Sequence, residues 1–240
     1  MVAVGVWLIA LGTADLIRAN VDTTSRRRLL LVGAVGVTVL LALTLAVEPD
    51  RSGWFVAVVG AVTLVVWVET SARAMSGSQA LPRVFAFGAF ALGLGASLLA
   101  DESQYAVRWA DTVSDSPVSR LEPSTALVVL GVLLTQIATA NTLVRMLLGA
   151  VGVPPSDNER QLKGGRVLGP MERLIIVTLG LGGAATAAAV VVAAKGLLRF
   201  PELTPGDHGP RDLTEYFLIG SLSSWLVALG GLGLIALARA

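Results

Sequence analysis

The chain has 240 residues, a length that one or two soluble domains would have. Its composition excludes them, because 54% of the residues are hydrophobic, 15% are charged and the mean hydropathy is +0.75, whereas a soluble domain carries about 25% charged residues. The absence of cysteine excludes disulfides and thiolate metal sites, and one histidine cannot supply a three-histidine zinc site. We therefore predict an integral membrane protein without cofactor or metal. Its net charge of +1 argues against nucleic acid as a partner.

Seven apolar stretches are long enough to cross a bilayer as helices, since about 30 Å of hydrocarbon requires roughly 17–25 residues. The first is short and carries Asp15 and Arg18 near its end. The prediction is a single all-α membrane domain, residues 1–240, with about seven transmembrane helices. In chain order these lie near residues 2–17, 29–47, 54–68, 84–100, 125–148, 174–194 and 216–237.

Positive charges set the predicted orientation, because short loops rich in lysine and arginine stay in the cytoplasm. Twelve of the 18 lysine and arginine residues fall on the side that holds the C-terminus and the loops after the first, third and fifth helices, and six fall on the other side. We therefore predict an N-terminus outside and a cytoplasmic C-terminus. The basic residues follow the first apolar run instead of preceding it, so a signal peptide is not expected.

The longest outer connection contains a segment near residues 102–113 whose apolar side chains share one helical face. Asp101 followed by Gln104 is typical of a capping pair at a helix start. This pattern predicts an amphipathic helix lying in the outer interface. The alternative is a lid over an outward-facing cavity.

The sixth and seventh predicted helices are rich in small side chains. The sixth contains a run of small residues that includes Gly183 and Ala187, and the seventh contains three serines, among them Ser224. Small residues let helix backbones approach closely. We expect these helices to pack against each other or to receive a helix of another subunit.

Polar side chains inside a span are costly, and each is therefore a candidate for function. Asp15 is expected to form a local ion pair with Arg18. The fifth helix carries a row of polar residues that either joins helices by hydrogen bonds, the favoured interpretation, or lines a polar path. That row consists of Thr135, Gln136, Thr139, Asn141, Thr142 and Arg145.

Charged residues stand at both ends of the sixth predicted helix. Glu172 and Arg173 precede Lys195 and Arg199 by 22 to 27 residues, which is roughly 30 Å or more at about 1.5 Å per residue. The two pairs are therefore predicted at opposite faces of the membrane. The outer basic residues could bind a lipid phosphate or an acidic partner, although snorkelling of long side chains to the interface is commoner. They are Lys195, Arg199, His208 and Arg211.

Three short motifs follow each other in the C-terminal third: Gly165-Arg166…Gly169…Glu172-Arg173, then Lys195…Arg199-Phe200…Glu202, and then Glu215-Tyr216…Gly220…Ser224. This series, over residues 165–224, resembles the C-terminal signature of an uncharacterised prokaryotic integral membrane family, a domain of unknown function. Gly196 and Pro201 depart from that pattern. The resemblance implies no activity, and it draws attention to the matched charged and polar residues.

Three classes of function remain open. The sequence lacks the paired aspartates, the Gly-x-Ser-Gly nucleophile and the His-Glu-x-x-His metal site of known membrane enzymes, so an enzyme is the least expected class. A transporter or channel for a small solute or lipid would need polar groups near the midplane, for which Gln136 and Thr139 are candidates. The favoured hypothesis is a structural or accessory subunit of a complex in the prokaryotic cytoplasmic membrane. It would contact membrane lipids and bind a protein partner or a second copy through the sixth and seventh helices.

Overall fold

The computed structural model describes residues 1–19, 25–76, 79–101, 105, 122–152, 165–184, 186–194 and 211–240. Apart from an isolated antiparallel bridge between Pro49 and Tyr105, the regular structure of these residues is helical. The predicted all-α class is thus confirmed for the described chain. Its helices are α1 (Val2–Ala19), α2 (Arg26–Ala46), α3 (Arg51–Ser76), α4 (Ala80–Leu98), α5 (Pro123–Ile137), α6 (Thr139–Ala150), α7 (Gly165–Leu181), α8 (186–194) and α9 (Arg211–Arg239).

Several helices have the length and composition of membrane spans. Among the described residues four qualify alone, namely α2, α3, α4 and the part Glu215–Arg239 of α9, and α5 with α6 makes a fifth if both belong to one crossing. The sequence predicted seven. Part of the difference lies in interruptions: α7 has 17 residues, which cover only about 25 Å at about 1.5 Å per residue.

The predicted helix near 174–194 differs from the structure, which has two helices there. α7 ends at Leu181 in a Schellman motif, where the amide of Ala184 donates to the Leu179 carbonyl at 2.9 Å and the amide of Gly183 donates to the Gly180 carbonyl at 3.1 Å. Gly183 has φ +75°, a conformation that L side chains rarely adopt. Part of the small-residue run therefore ends a helix.

The predicted helix near 125–148 is likewise divided. α5 ends at Ile137, and Ala138 interrupts the helix with φ −116° and ψ −54° before α6 begins at Thr139. The predicted interfacial helix near 102–113 lies outside the described residues, except for Tyr105.

The chain divides into two compact units. The first comprises Met1–Thr139 and Gly233–Ala240, and the second comprises Ala140–Leu232. In the first unit α1 is the central helix, since it packs against α2, α3, α4 and α5. Its apolar side chains are buried almost all round, which is typical of a core helix.

Glycines allow α1 and α5 to approach closely. A Cβ atom added at Gly5 would lie 2.5 Å from the Leu127 Cβ, and one added at Gly12 would lie 2.8 Å from the Leu134 Cβ. From the other side, a Cβ at Gly131 would lie 3.1 Å from the carbonyl oxygen of Gly5. This glycine seam brings the two backbones together, as small residues do in other membrane helix pairs.

Candidate functional site

The first candidate site is a buried polar cluster that joins α1 to α3. Arg18 Nη2 donates to Asp15 Oδ1 at 2.8 Å, so the predicted ion pair is present. The Trp67 indole N–H donates to Asp15 Oδ2 at 3.0 Å, and Arg18 Nη1 donates to Ser71 Oγ at 2.7 Å. Asp15 is only 1% exposed, and each of its carboxylate oxygens accepts a hydrogen bond. The cluster therefore acts as an anchor between helices.

The contributions from α3 were not predicted. The Arg18 guanidinium reaches past Ser71 to the Val68 carbonyl, at 3.2 Å. Trp67 and Ser71 are separated by four residues, a spacing that places two side chains on one face of a helix. The sequence did contain a signal for this contact. Trp67 lies near the end of the third predicted helix and Ser71 follows one turn later, and a buried indole N–H needs an acceptor.

The second candidate site is the polar row of the fifth predicted helix, which the structure divides. Thr135, Gln136 and Thr139 are buried in the first unit. The Thr135 hydroxyl donates to the Val132 carbonyl of its own helix at 2.9 Å. Thr139 stands at the start of α6 and is 1% exposed. A helix end frees backbone groups that a continuous helix would pair, so polar side chains are useful here.

The rest of that row belongs to the second unit. Asn141 and Arg145 lie on α6 and are partly exposed, and Thr142 between them is buried. The structure therefore divides the six predicted polar residues between the two compact units, three in each.

The third candidate site lies in the second unit, between α7 and α9. Arg173 Nη1 donates to Ser224 Oγ at 2.9 Å, and the Trp225 indole N–H donates to Glu172 Oε1 at 3.3 Å. Glu172 is 5% exposed and Arg173 is 1% exposed. Two successive residues of one helix thus bond to two successive residues of another. Burial of this kind requires that charges be paired or hydrogen-bonded.

Sequence reasoning singled out Glu172, Arg173 and Ser224 but did not bring them together. Their predicted position at the inner face of the membrane stays a prediction, and the structure adds that both charged side chains are buried. Trp225 was missed as a partner. Its position in the middle of a span, away from the interfaces that tryptophan favours, was the available signal.

Of the remaining predicted residues that the structure describes, Gly183, Ala187 and Glu215 are exposed and Tyr216 is partly exposed. Lys195 and Arg199 lie outside the described residues. No group of three histidine, aspartate or glutamate side chains within the described part of the chain could hold a metal ion.

The start of α3 carries the clearest electrostatic effect outside the spans. Asp50 precedes the helix and caps it, since its Oδ1 accepts the Gly53 amide at 2.8 Å and the Ser52 hydroxyl at 2.8 Å. These hydrogen bonds favour the charged carboxylate and lower the pKa of Asp50. Nearby, burial raises the pKa of the Tyr105 phenol, and the backbone of Tyr105 forms the isolated antiparallel bridge with Pro49.

Comparison of the sequence with protein-family models, with curated proteins and with solved structures finds no match. The resemblance of residues 165–224 to an uncharacterised membrane family therefore stays a prediction, and no function passes to the chain from a relative.

Proposed function

We propose that the protein is a multi-pass subunit of a complex in the prokaryotic cytoplasmic membrane, with a structural or accessory role, and that α7, α8 and α9 bind its partner. The contrast between two kinds of exposed surface carries the proposal. On α3 and α4 many of the exposed residues are large, with Phe55 70% and Leu92 61% exposed. On α8 most of the exposed residues are small, among them Thr186, Ala187 and Ala189, although Val190 beside them is 61% exposed.

The size of the exposed side chains decides how closely a second helix can approach, and this matters because lipid tails are as apolar as leucine. The hydrophobic effect therefore gives two membrane helices little reason to associate, and close van der Waals packing must drive association instead. Large exposed residues such as Phe55 are suited to lipid, whereas the alanine and threonine positions of α8 let a second helix come near. The occupant of the α8 face would be a transmembrane helix, from another protein or from a second copy.

The polar contacts between α7 and α9 support the same role. Glu172 and Arg173 are both hydrogen-bonded to α9, so their charges hold two helices of this unit together. Polar residues that bond one helix to another are more typical of a structural subunit than of an enzyme active site.

Seven crossings, with the N-terminus outside, remain part of the proposal. The nine described helices are accommodated if each interrupted pair makes one crossing. The crossings would be α1, α2, α3, α4, α5 with α6, α7 with α8, and α9.

Native mass spectrometry of the protein, extracted gently from its own membrane, tests the proposal. We expect a stoichiometric partner or a homo-oligomer. Ala187→Leu should abolish it, because a bulky side chain on α8 keeps the second helix away. Ala91→Leu makes the same change at an exposed position of α4 and should leave the complex intact. Gly183→Leu is less informative, since its φ of +75° would strain any side chain.

A lone wild-type chain would contradict the proposal. So would an Ala187→Leu variant that keeps its partner as fully as the Ala91→Leu control does.

One observation favours transport as a second candidate. The break at Ala138 lies beside the buried residues Gln136 and Thr139, and many transporters bind substrates where a membrane helix is discontinuous. Light scattering of proteoliposomes in glycerol, urea and amino acids would detect permeation. Gln136→Leu and Thr139→Val should abolish it, while Thr135→Val should not, because that hydroxyl bonds to its own helix. Wild-type vesicles that admit none of these solutes would argue against this candidate.

A further inference from the structure

A small cavity lies inside the first unit, at the end where α2 and α4 finish and α3 begins. About 20 Å³ of it is open to the centre of a water-sized molecule, and one water needs about 10–15 Å³ by this measure. Ten of its twelve lining residues are buried, and only Val56 and Tyr105 are partly exposed, so they mark its mouth.

Three residues with hydroxyl groups line this otherwise mostly apolar cavity, Thr44 and Ser97 inside it and Tyr105 at its mouth. Thr44 is 2% exposed, and its hydroxyl makes no hydrogen bond with any residue that the structure describes. Ser97 is 3% exposed, and its hydroxyl donates to the Gly93 carbonyl at 2.8 Å, which leaves the Oγ atom able to accept. A buried hydroxyl without a partner costs free energy, and buried waters commonly satisfy such groups.

The buried indole beside these hydroxyl groups already has a hydrogen-bond partner. The Trp7 indole N–H donates to the Gly60 carbonyl at 3.3 Å. Of the two buried hydroxyl groups, that of Thr44 lacks a hydrogen bond within the described chain, and Ser97 Oγ could accept one from the same bound molecule.

We propose that this cavity binds one ordered water molecule, which bonds to the Thr44 hydroxyl and to Ser97 Oγ and so connects α2 with α4. The volume fits a single water and is too small for a lipid chain. Threonine and serine oxygens supply a donor and an acceptor, and the water can enter past Tyr105 and Val56.

The first test is a wild-type density map at a resolution that shows ordered water. We expect a single isolated peak within hydrogen-bonding distance of Thr44 and Ser97. An empty cavity, or continuous density of a detergent or lipid tail, would overturn the proposal.

The second test is a double-mutant cycle, read as melting temperatures in detergent. Thr44→Val and Ser97→Ala should each lower the melting temperature. The double variant should lose little more than the worse single variant, because either change alone removes the shared water. Thr44→Val combined with Thr70→Val gives the additive control, since the Thr70 hydroxyl bonds to its own helix at the Val66 carbonyl. Additive losses in the Thr44 and Ser97 pair would refute a shared water.

Discussion

Replacing Gly5 with alanine would test whether direct backbone contact holds α1 against α5. The added Cβ would lie 2.5 Å from the Leu127 Cβ, 2.7 Å from the Leu127 carbonyl carbon and 2.8 Å from the Val128 amide nitrogen. Favourable carbon contacts lie at about 3.5–4.0 Å, so the helices would have to separate by about 1 Å. A rotamer change cannot relieve the conflict, because two of the three atoms belong to the backbone.

The expected loss of stability follows from two opposing effects. Overpacking of a close-packed core costs about 1–3 kcal/mol. Alanine is a better helix former than glycine by about 0.5–1 kcal/mol, which offsets part of this cost. The Gly5→Ala variant should therefore lose about 1–2 kcal/mol of unfolding free energy.

Equilibrium unfolding in mixed micelles of a mild detergent and dodecyl sulfate would measure this loss. Gly88→Ala on α4 is the matched control, because Gly88 is exposed and an added Cβ would have no atom within 4 Å. That variant should gain up to about 1 kcal/mol from helix propensity alone. If both variants have the same stability, the glycine seam does not hold the helices together and the reasoning fails.

Three other predictions concern charge and topology. Asp15→Ala should lower stability by about 3 kcal/mol in the same assay, because it leaves the partly buried Arg18 guanidinium without its carboxylate; a loss below about 1 kcal/mol would contradict this. Since hydrogen bonds lower the pKa of Asp50, its contribution is present at neutral pH and is lost as pH falls through the folded-state value. Ser52→Ala should raise that pKa in a carboxyl NMR titration, and an unchanged value would disprove the assignment. The chain has no cysteine, so an impermeant thiol reagent on intact cells should label Ser52→Cys and spare Gln79→Cys; the reverse pattern would invert the proposed orientation.

The sequence was sufficient for the helices whose apolar stretch is long and continuous. Hydropathy predicted helices near 29–47 and 84–100, and the structure has Arg26–Ala46 and Ala80–Leu98. The length of each apolar run carries this information, because the run must cover the hydrocarbon thickness of the membrane. Only the charged or polar ends, which hydropathy ignores, shift by a few residues.

The interruption between α7 and α8 could not be predicted in the same way. Glycine in a membrane helix marks either a close packing surface or the end of the helix, and both interpretations suit the run around Gly183. The left-handed backbone of Gly183 decides between them, and this depends on the hydrogen bonds of Leu179 and Gly180 to the following amides. A count of small residues holds no information about either.

The glycine seam between α1 and α5 was missed for a related reason. Gly5 and Gly12 are single glycines in α1, whereas the sixth predicted helix contains a dense run of small residues. Their spacing of seven residues places them on one face of α1, which was the available signal. Whether that face meets α5 depends on a pairing of residues more than a hundred positions apart, as Gly5 and Leu127 are.

The same four types of side chain bind the buried charges in both units: an acid, an arginine, a tryptophan and a serine. In the first, Asp15 accepts the indole N–H of Trp67 and Arg18 donates to Ser71; in the second, a carboxylate and an arginine of α7 make the same two bonds with a tryptophan and a serine of α9. An acid and an arginine on one helix offset each other's charge, while neutral indole and hydroxyl groups on the next helix complete the hydrogen bonds. Neutral partners add no charge that lipid would have to accommodate. The ionisable residues of the two clusters therefore anchor helices to one another, and the exposed alanine and threonine positions of α8 are the surface on which the proposed function depends.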